Sequence, residues 1–111
     1  YHRAMLVDHQ RNRAYAEAIS RANLKGKRVL DIGTGSGFLS MLAVRAGAAE
    51  VVSCEFMPGI ADTARQIIAA NGFAGRIRVV TGNSAKLTVD ELGGPFDAVV
   101  SEILAQDVVL E

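Results

Sequence analysis

A run of glycines between two hydrophobic strands fixes more about this chain than any other feature. Val29-Leu30-Asp31-Ile32 leads into Gly33-Thr34-Gly35-Ser36-Gly37 and Phe38-Leu39, and eighteen residues beyond the last glycine stands Glu55. The order reads strand, glycine turn, helix, strand, acid. A chain that leaves a strand and enters a helix beside a ligand needs positive φ and close backbone approach, both of which a Cβ obstructs. Glycines alone make only a turn, and an acid alone only a solvated strand end. Flanking strands and an acid at this distance together indicate a nucleotide-cofactor site. The spacing is G-x-G-x-G, and Phe38 stands where the dinucleotide fingerprint G-x-G-x-x-G puts its third glycine. That favours S-adenosylmethionine over NAD, with Glu55 accepting hydrogen bonds from the ribose hydroxyls.

Composition narrows the class. The 111 residues are 50% hydrophobic and 22% charged with zero formal net charge, so one ordinary globular domain is the ceiling. Balanced charge argues against a strongly basic nucleic-acid surface, although a local patch stays open. No apolar run reaches the length of a membrane span and no basic-apolar signal segment opens the chain, so a cytoplasmic setting is expected. The single Cys54 excludes an internal disulfide and a cysteine-rich zinc site. It reads first as a small buried strand residue and second as a reactive thiol. His2 and His9 fall on roughly one helical face without supporting ligands and read as surface residues, so no metal is expected.

The remaining elements alternate. Residues 1–24 read as an N-terminal helical segment, with Tyr15, Ile19 and Ala22 on one face, and 25–111 as the cofactor-binding domain. Strands are expected at Arg28 to Ile32, Glu50 to Glu55, about Arg76 to Thr81 and Phe96 to Ser101. Between them come a helix from Phe38 to about Ala46 and another starting at Pro58. The latter has an apolar stripe of Ile60, Ala64, Ile67 and Ile68 and a stop at Asn71-Gly72. Four parallel strands with crossover helices make a doubly wound α/β sheet with its ligand at the carboxyl ends of the central strands. Asp31, Glu55 and Ser101-Glu102 all fall at that edge. The chain closes at Glu111, where such a sheet normally continues. An incomplete sheet with an uncovered apolar edge is therefore expected, leading to self-association or to cover by a remainder.

Several of these segments resemble the cofactor-binding half of the protein arginine N-methyltransferases, over nearly the whole chain. Met5-Leu6-Val7-Asp8-His9-Gln10-Arg11, with Tyr15 and Ala18-Ile19, is similar to that family's M-L-x-D-x-x-R-x-x-x-Y-x-x-A-I. The segment Val29 to Met41 is similar to its V-L-D-x-G-x-G-x-G-x-L-S, and Ala46-Gly47-Ala48 continues the match. Glu55-Phe56-Met57-Pro58 through Asn71-Gly72-Phe73 most resembles the subfamily that stops at monomethylarginine. Glu102 and Glu111 lie at the nine-residue spacing of the family's double-glutamate loop.

The resemblance implies a Rossmann-like methyltransferase sheet and methyl transfer to arginine of a protein substrate. Arg11 would pair with the carboxylate of the cofactor's methionine part, Asp31 with Gly33, Gly35 and Gly37 would line that end, and Glu55 would hold the ribose. Glu102 and Glu111 would grip the substrate guanidinium. Paired carboxylates can localise the charge of a group too basic to deprotonate, freeing one nitrogen for attack. Along a regular helix nine residues would separate them by about 13.5 Å on opposite faces, so they converge only on a folded-back loop. Without that loop they are two surface glutamates. Arg11 and Asp8 also read as solvated helix charges, and Met5 as a core residue.

The chain departs from the family pattern in three ways. Ile103-Leu104-Ala105-Gln106 replaces W-M-G-Y and resembles the N-I-L-A segment of ribosomal-protein lysine methyltransferases. Ala85 stands where many members carry an adenine-binding glutamate, which leaves adenine to groups near Asn83 and Ser84. Nothing corresponds to the family's histidine-tryptophan loop, second-half barrel or dimerisation arm. Two alternatives stay open: a methyltransferase acting on ribosomal protein, RNA or a small molecule, and a catalytically silent cofactor-binding module.

Overall fold

The computed structural model describes residues 13–101 and the backbone of Val108–Leu110. Helical residues 13–21 (α1) lead into strand β1 (Arg28–Ile32), helix α2 (Phe38–Arg45), strand β2 (Glu50–Glu55) and helix α3 (Pro58–Ala70). Strands β3 (Ile77–Thr81), β4 (Ala98–Ser101) and β5 (Val108–Leu110) follow. One sheet holds all five in the order β3-β2-β1-β4-β5. β1 pairs in parallel with β2 and β4, and β2 in parallel with β3. The order reverses between β1 and β4, which makes that crevice the topological switch point.

This is the expected doubly wound sheet of four parallel strands, with one addition. β5 turns back beside β4 in antiparallel register, Val100 opposite Val108 and Ala98 opposite Leu110. Its short apolar run satisfies outward backbone groups that β4 would otherwise leave unpaired. At the other edge Arg65 of α3 donates to the Val79 carbonyl at 3.0 Å and to Thr81 Oγ1 at 2.8 Å, partly closing β3.

Local chemistry sets the boundaries. α3 begins at Pro58, which has no N–H to lose in the first turn. It ends where Asn71 Nδ2 donates to the Ile67 carbonyl at 2.8 Å and Gly72 adopts φ 83°. β4 starts at Ala98 rather than Phe96, because both preceding side chains are engaged elsewhere. The Phe96 ring lies 4.5 Å from the Arg28 guanidinium, and Asp97 Oδ2 accepts the Arg28 N–H at 2.9 Å. β3 starts at Ile77, one residue later than expected, behind a turn in which the Arg76 and Ile77 N–H groups both donate to the Phe73 carbonyl at 3.0 and 3.1 Å.

Strand alternation divides the core between the two faces of the sheet. Val29, Val51, Ile77, Val79, Ala98 and Val100 pack under α1, α2 and α3 with Tyr15, Ile19, Leu39, Ala43, Ala61, Ala64 and Ile68. The stripe of α3 is Ala61, Ala64 and Ile68, not the expected one through Ile60, which is 39% exposed. Two alanines bring the helix axis close to the sheet, and Ile60, one residue from that stripe, points about 100° away. Against Ile68 lies Gly37, where an added Cβ would stand 2.9 Å from Ile68 Cγ1 at a φ of 84°. On the opposite face Val52, Cys54 and Leu92 are buried, flanked by Leu30, Val80, Leu87 and Phe96.

Candidate cofactor site

The site begins where β1 stops. Gly33, Gly35 and Gly37 all adopt positive φ (79°, 54° and 84°), and two backbone bonds of 2.9 Å, Gly33 N–H to Cys54 O and Gly37 N–H to Thr34 O, fix the turn. Gly37 is also the N-cap of α2. The first turn of α2 carries no acidic residue, so its positive end is not neutralised from within the helix.

Glu55, at the end of β2, is nearly buried. Its Oε2 accepts the Met57 N–H at 3.1 Å and its Oε1 the Gly35 N–H at 3.4 Å, so one carboxylate ties the glycine turn to the entry of α3. Each oxygen keeps capacity for further donors, such as a pair of hydroxyls. Beside it a cavity of about 230 Å³ is lined by Ile32, Gly33, Cys54, Glu55, Phe56, Gly82, Asn83 and Ser84. Gly82 N–H bonds to the Glu55 carbonyl at 2.8 Å, which brings the turn after β3 against the end of β2. Asn83 shapes that turn, its Oδ1 accepting the Ala85 N–H at 3.0 Å. A larger cavity of about 430 Å³ opens at the opposite, amino-terminal edge around Glu50, Arg76 and Arg78, and none of the motif residues reaches it.

Asp31 is fully buried and does not line the smaller cavity. Its Oδ2 accepts the hydroxyls of Ser40 at 2.7 Å and Ser53 at 3.4 Å, and the Ser53 hydroxyl is bonded in turn to that of Thr34. Ser101 Oγ donates to the Ile32 carbonyl at 3.1 Å, fastening β4 across the switch point. Cys54 is buried as expected. Burial pushes its thiol pKa up, the Asp31 charge adds to that, and Arg78 opposes it.

Seven of the expected site residues are described, and Gly33, Glu55, Asn83 and Ser84 meet around one cavity. Gly35 reaches it through Glu55, Gly37 starts α2, and Asp31 lies behind the turn. Arg11, Glu102 and Glu111 lie outside the described residues, as do Met5, Asp8, both histidines and Ile103 to Gln106. Their described neighbours are informative: Ser101 ends β4 and Leu110 pairs with Ala98, about 10 Å back along that strand. Sequence reasoning missed Thr34, Ser40, Ser53 and the role of Phe56. Ser53 had a faint signal, a polar residue midway along an otherwise apolar strand, whereas Phe56 shows only as an aromatic next to the acid, 69% exposed at the cavity mouth.

Four parallel strands in this order, with a glycine turn at the switch point and an acid ending the second strand, make the Rossmann-like sheet of methyltransferase domains. The chain belongs to the family described as ribosomal protein L11 methyltransferase (PrmA), whose model matches residues 8–110. It is similar to the arginine N(omega)-methyltransferase of Streptomyces achromogenes subsp. streptozoticus, 48% identical over 94% of this chain and 29% of that protein. It is also similar to protein arginine N-methyltransferase 7 of Anopheles gambiae, 52% identical over 77% of this chain and 13% of that protein. Among solved structures it resembles the Trypanosoma brucei PRMT1 enzyme-prozyme heterotetrameric complex with AdoHcy. The TM-score is 0.76 at 36% identity, covering 90% of this chain and 31% of that one. The chain therefore spans less than a third of each of these relatives. The resemblance to the cofactor-binding half of the arginine methyltransferases, read from the sequence, is borne out.

Proposed function

We propose that this chain binds S-adenosylmethionine and is the cofactor-binding part of an enzyme that methylates the guanidinium of arginine in a protein substrate. One observation carries the cofactor assignment. The Glu55 carboxylate is held by two backbone amides at the rim of a cavity of about 230 Å³. That is below the roughly 300–1,000 Å³ of whole small-molecule sites and suits a nucleoside-sized portion. Glu55 would accept the ribose hydroxyls, Phe56 would offer a flat apolar face to the base, and groups near Asn83 and Ser84 would meet its edge. Bound S-adenosylmethionine supplies an electrophilic methyl on a sulfonium centre. The chain's own part is to hold the nucleoside, present the amino end of α2 and the glycine turn to the methionine portion together with Arg11, and exclude water. Rate enhancement in this reading comes from positioning and from carboxylates near the guanidinium.

The names of the two relatives support arginine as acceptor, one as arginine and the other as protein arginine. Glu102 and Glu111 would be the gripping pair. The two carboxylates reach one guanidinium only on a folded-back loop. The reading includes a cytoplasmic setting and self-association with a further copy through an uncovered sheet edge. A second reading, another acceptor such as ribosomal-protein lysine, is supported by the family model's description and by Ile103-Leu104-Ala105.

Calorimetric titration of the full-length protein with S-adenosylhomocysteine, beside Glu55→Ala, tests the cofactor. Binding lost in the variant is expected, and equal binding would refute the role of Glu55. Transfer of labelled methyl, followed by hydrolysis of the product, tests the acceptor. Methylarginine, abolished by Glu102→Gln or Glu111→Gln with cofactor binding nearly intact, is the expected result. Methyllysine or a methylated nucleotide would move the assignment to the second reading, and no labelled product would indicate a silent module. Free arginine and an arginine peptide, offered separately, separate the two acceptor forms.

A further inference from the structure

The buried hydroxyls behind the glycine turn have no part in the cofactor contacts proposed above. Ser53 lies on β2 in register with Asp31 of β1, on the same face as Val51 and Glu55, and is completely buried. Its oxygen is within bonding reach of two others, Asp31 Oδ2 and Thr34 Oγ1. A hydroxyl has one proton to give. Ser53 donates it to Asp31, so Thr34 must supply the proton of the Thr34–Ser53 bond. Ser40 of α2 donates to the same Asp31 oxygen at 2.7 Å. The bonds therefore run one way, from Thr34 through Ser53 to a carboxylate that Ser40 also holds.

We infer that Ser53 is a positioning residue for the cofactor, locking the glycine turn through a Thr34–Ser53–Asp31 hydrogen-bond chain; the inference rests on the cofactor reading above. Thr34 lies between Gly33 and Gly35, and its carbonyl accepts the Gly37 N–H. Fixing its side chain fixes the peptides on either side, including the Gly35 N–H that faces Glu55. Three glycines at positive φ would otherwise give this segment high backbone freedom. The chain of hydroxyls removes that freedom before the ligand arrives, which favours affinity through pre-organisation. Thr34 is 3% exposed, so no solvent is at hand to replace a lost partner.

The test separates hydroxyl from shape. In the full-length protein, Thr34→Val keeps the side chain's volume and removes the donor, while Thr34→Ser keeps the donor and removes a methyl. Two readouts are followed: amide hydrogen exchange at Gly35 and Gly37 without ligand, and calorimetric affinity for S-adenosylhomocysteine. Thr34→Val and Ser53→Ala are expected to speed exchange and weaken affinity about tenfold, and Thr34→Ser to stay within about twofold of the parent. Combining Thr34→Val with Ser53→Ala adds little to Ser53→Ala alone, because both cut the same chain. Equal loss in Thr34→Ser and Thr34→Val, or no change in Thr34→Val, overturns the inference. If the parent protein does not bind S-adenosylhomocysteine, the cofactor reading fails and the exchange arm still decides whether the hydroxyls lock the turn. Should Ser53→Ala fail to fold, the two Thr34 variants decide alone.

Discussion

On one face of the sheet the strands lie beneath α1, α2 and α3 in an apolar layer broken by the buried Asp31, Ser40 and Ser53, whereas on the other the buried hydrophobic residues, among those described, are Val52, Cys54 and Leu92. There the segment between β3 and β4 is held largely by one side chain. Arg28 donates to the carbonyls of Pro95 at 2.7 Å and Leu92 at 3.1 Å, pairs with Glu50 at 3.0 Å and covers the Phe96 ring. The cavity sits at the seam, with Gly33 and Glu55 on the firmly packed side and Gly82 to Ser84 on the pinned one. Uneven cover of this kind means uneven local stability, and binding sites draw on its weaker end. Ligand binding should therefore steady the Gly82–Ser84 wall more than the glycine turn.

The sharpest way to probe this contrast is to truncate one side chain on each face of the full-length protein. Ile68→Ala should cost about 3–4 kcal/mol in urea unfolding, because it opens a void in the helix-covered core. Leu92→Ala should cost about 2–3 kcal/mol and raise amide exchange mainly between β3 and β4. Equal spread of exchange over α2 and α3 in the Leu92 variant would show that the faces are not separate. Gly37→Ala comes next at about 2 kcal/mol, from the positive φ and the overlap with Ile68, read as a lowered urea midpoint. Arg28→Met should lose about 1–2 kcal/mol, with exchange again rising between β3 and β4. The smallest effect concerns pH. Cys54 holds its proton more tightly folded than unfolded, so above an ordinary thiol pKa of about 8.5 the unfolded chain loses a proton that the native one keeps. Stability should fall as pH rises through that range, and Cys54→Ala should flatten the fall. An unchanged slope would place the thiol nearer solvent than its burial indicates.

How much of this was legible beforehand depended on the range of the interactions involved. The glycine turn, β1, β2 and the start of α3 follow from signals within a few residues, and they fall where the sequence places them. Phe96 misled because its attraction to Arg28, sixty-eight positions away, outweighs its preference for a strand. Ile60 misled because a hydrophobic stripe read alone does not say which of two overlapping faces the sheet accepts. Ser53 looked inert for the same reason: its meaning appears only in register with Asp31. β5 depends on pairing with an edge that the local sequence does not encode.

The contact between Gly37 and Ile68 also orders the paths by which related sequences could diverge. A lineage that first gains a side chain at 37 passes through a protein in which that atom and Ile68 Cγ1 compete for one space. A lineage that first shortens residue 68 meets no such overlap, and only the backbone cost at 37 is left. The two substitutions commute in the genetic code but not in the folded chain, so among descendants a larger residue at 37 should be found with a smaller one at 68.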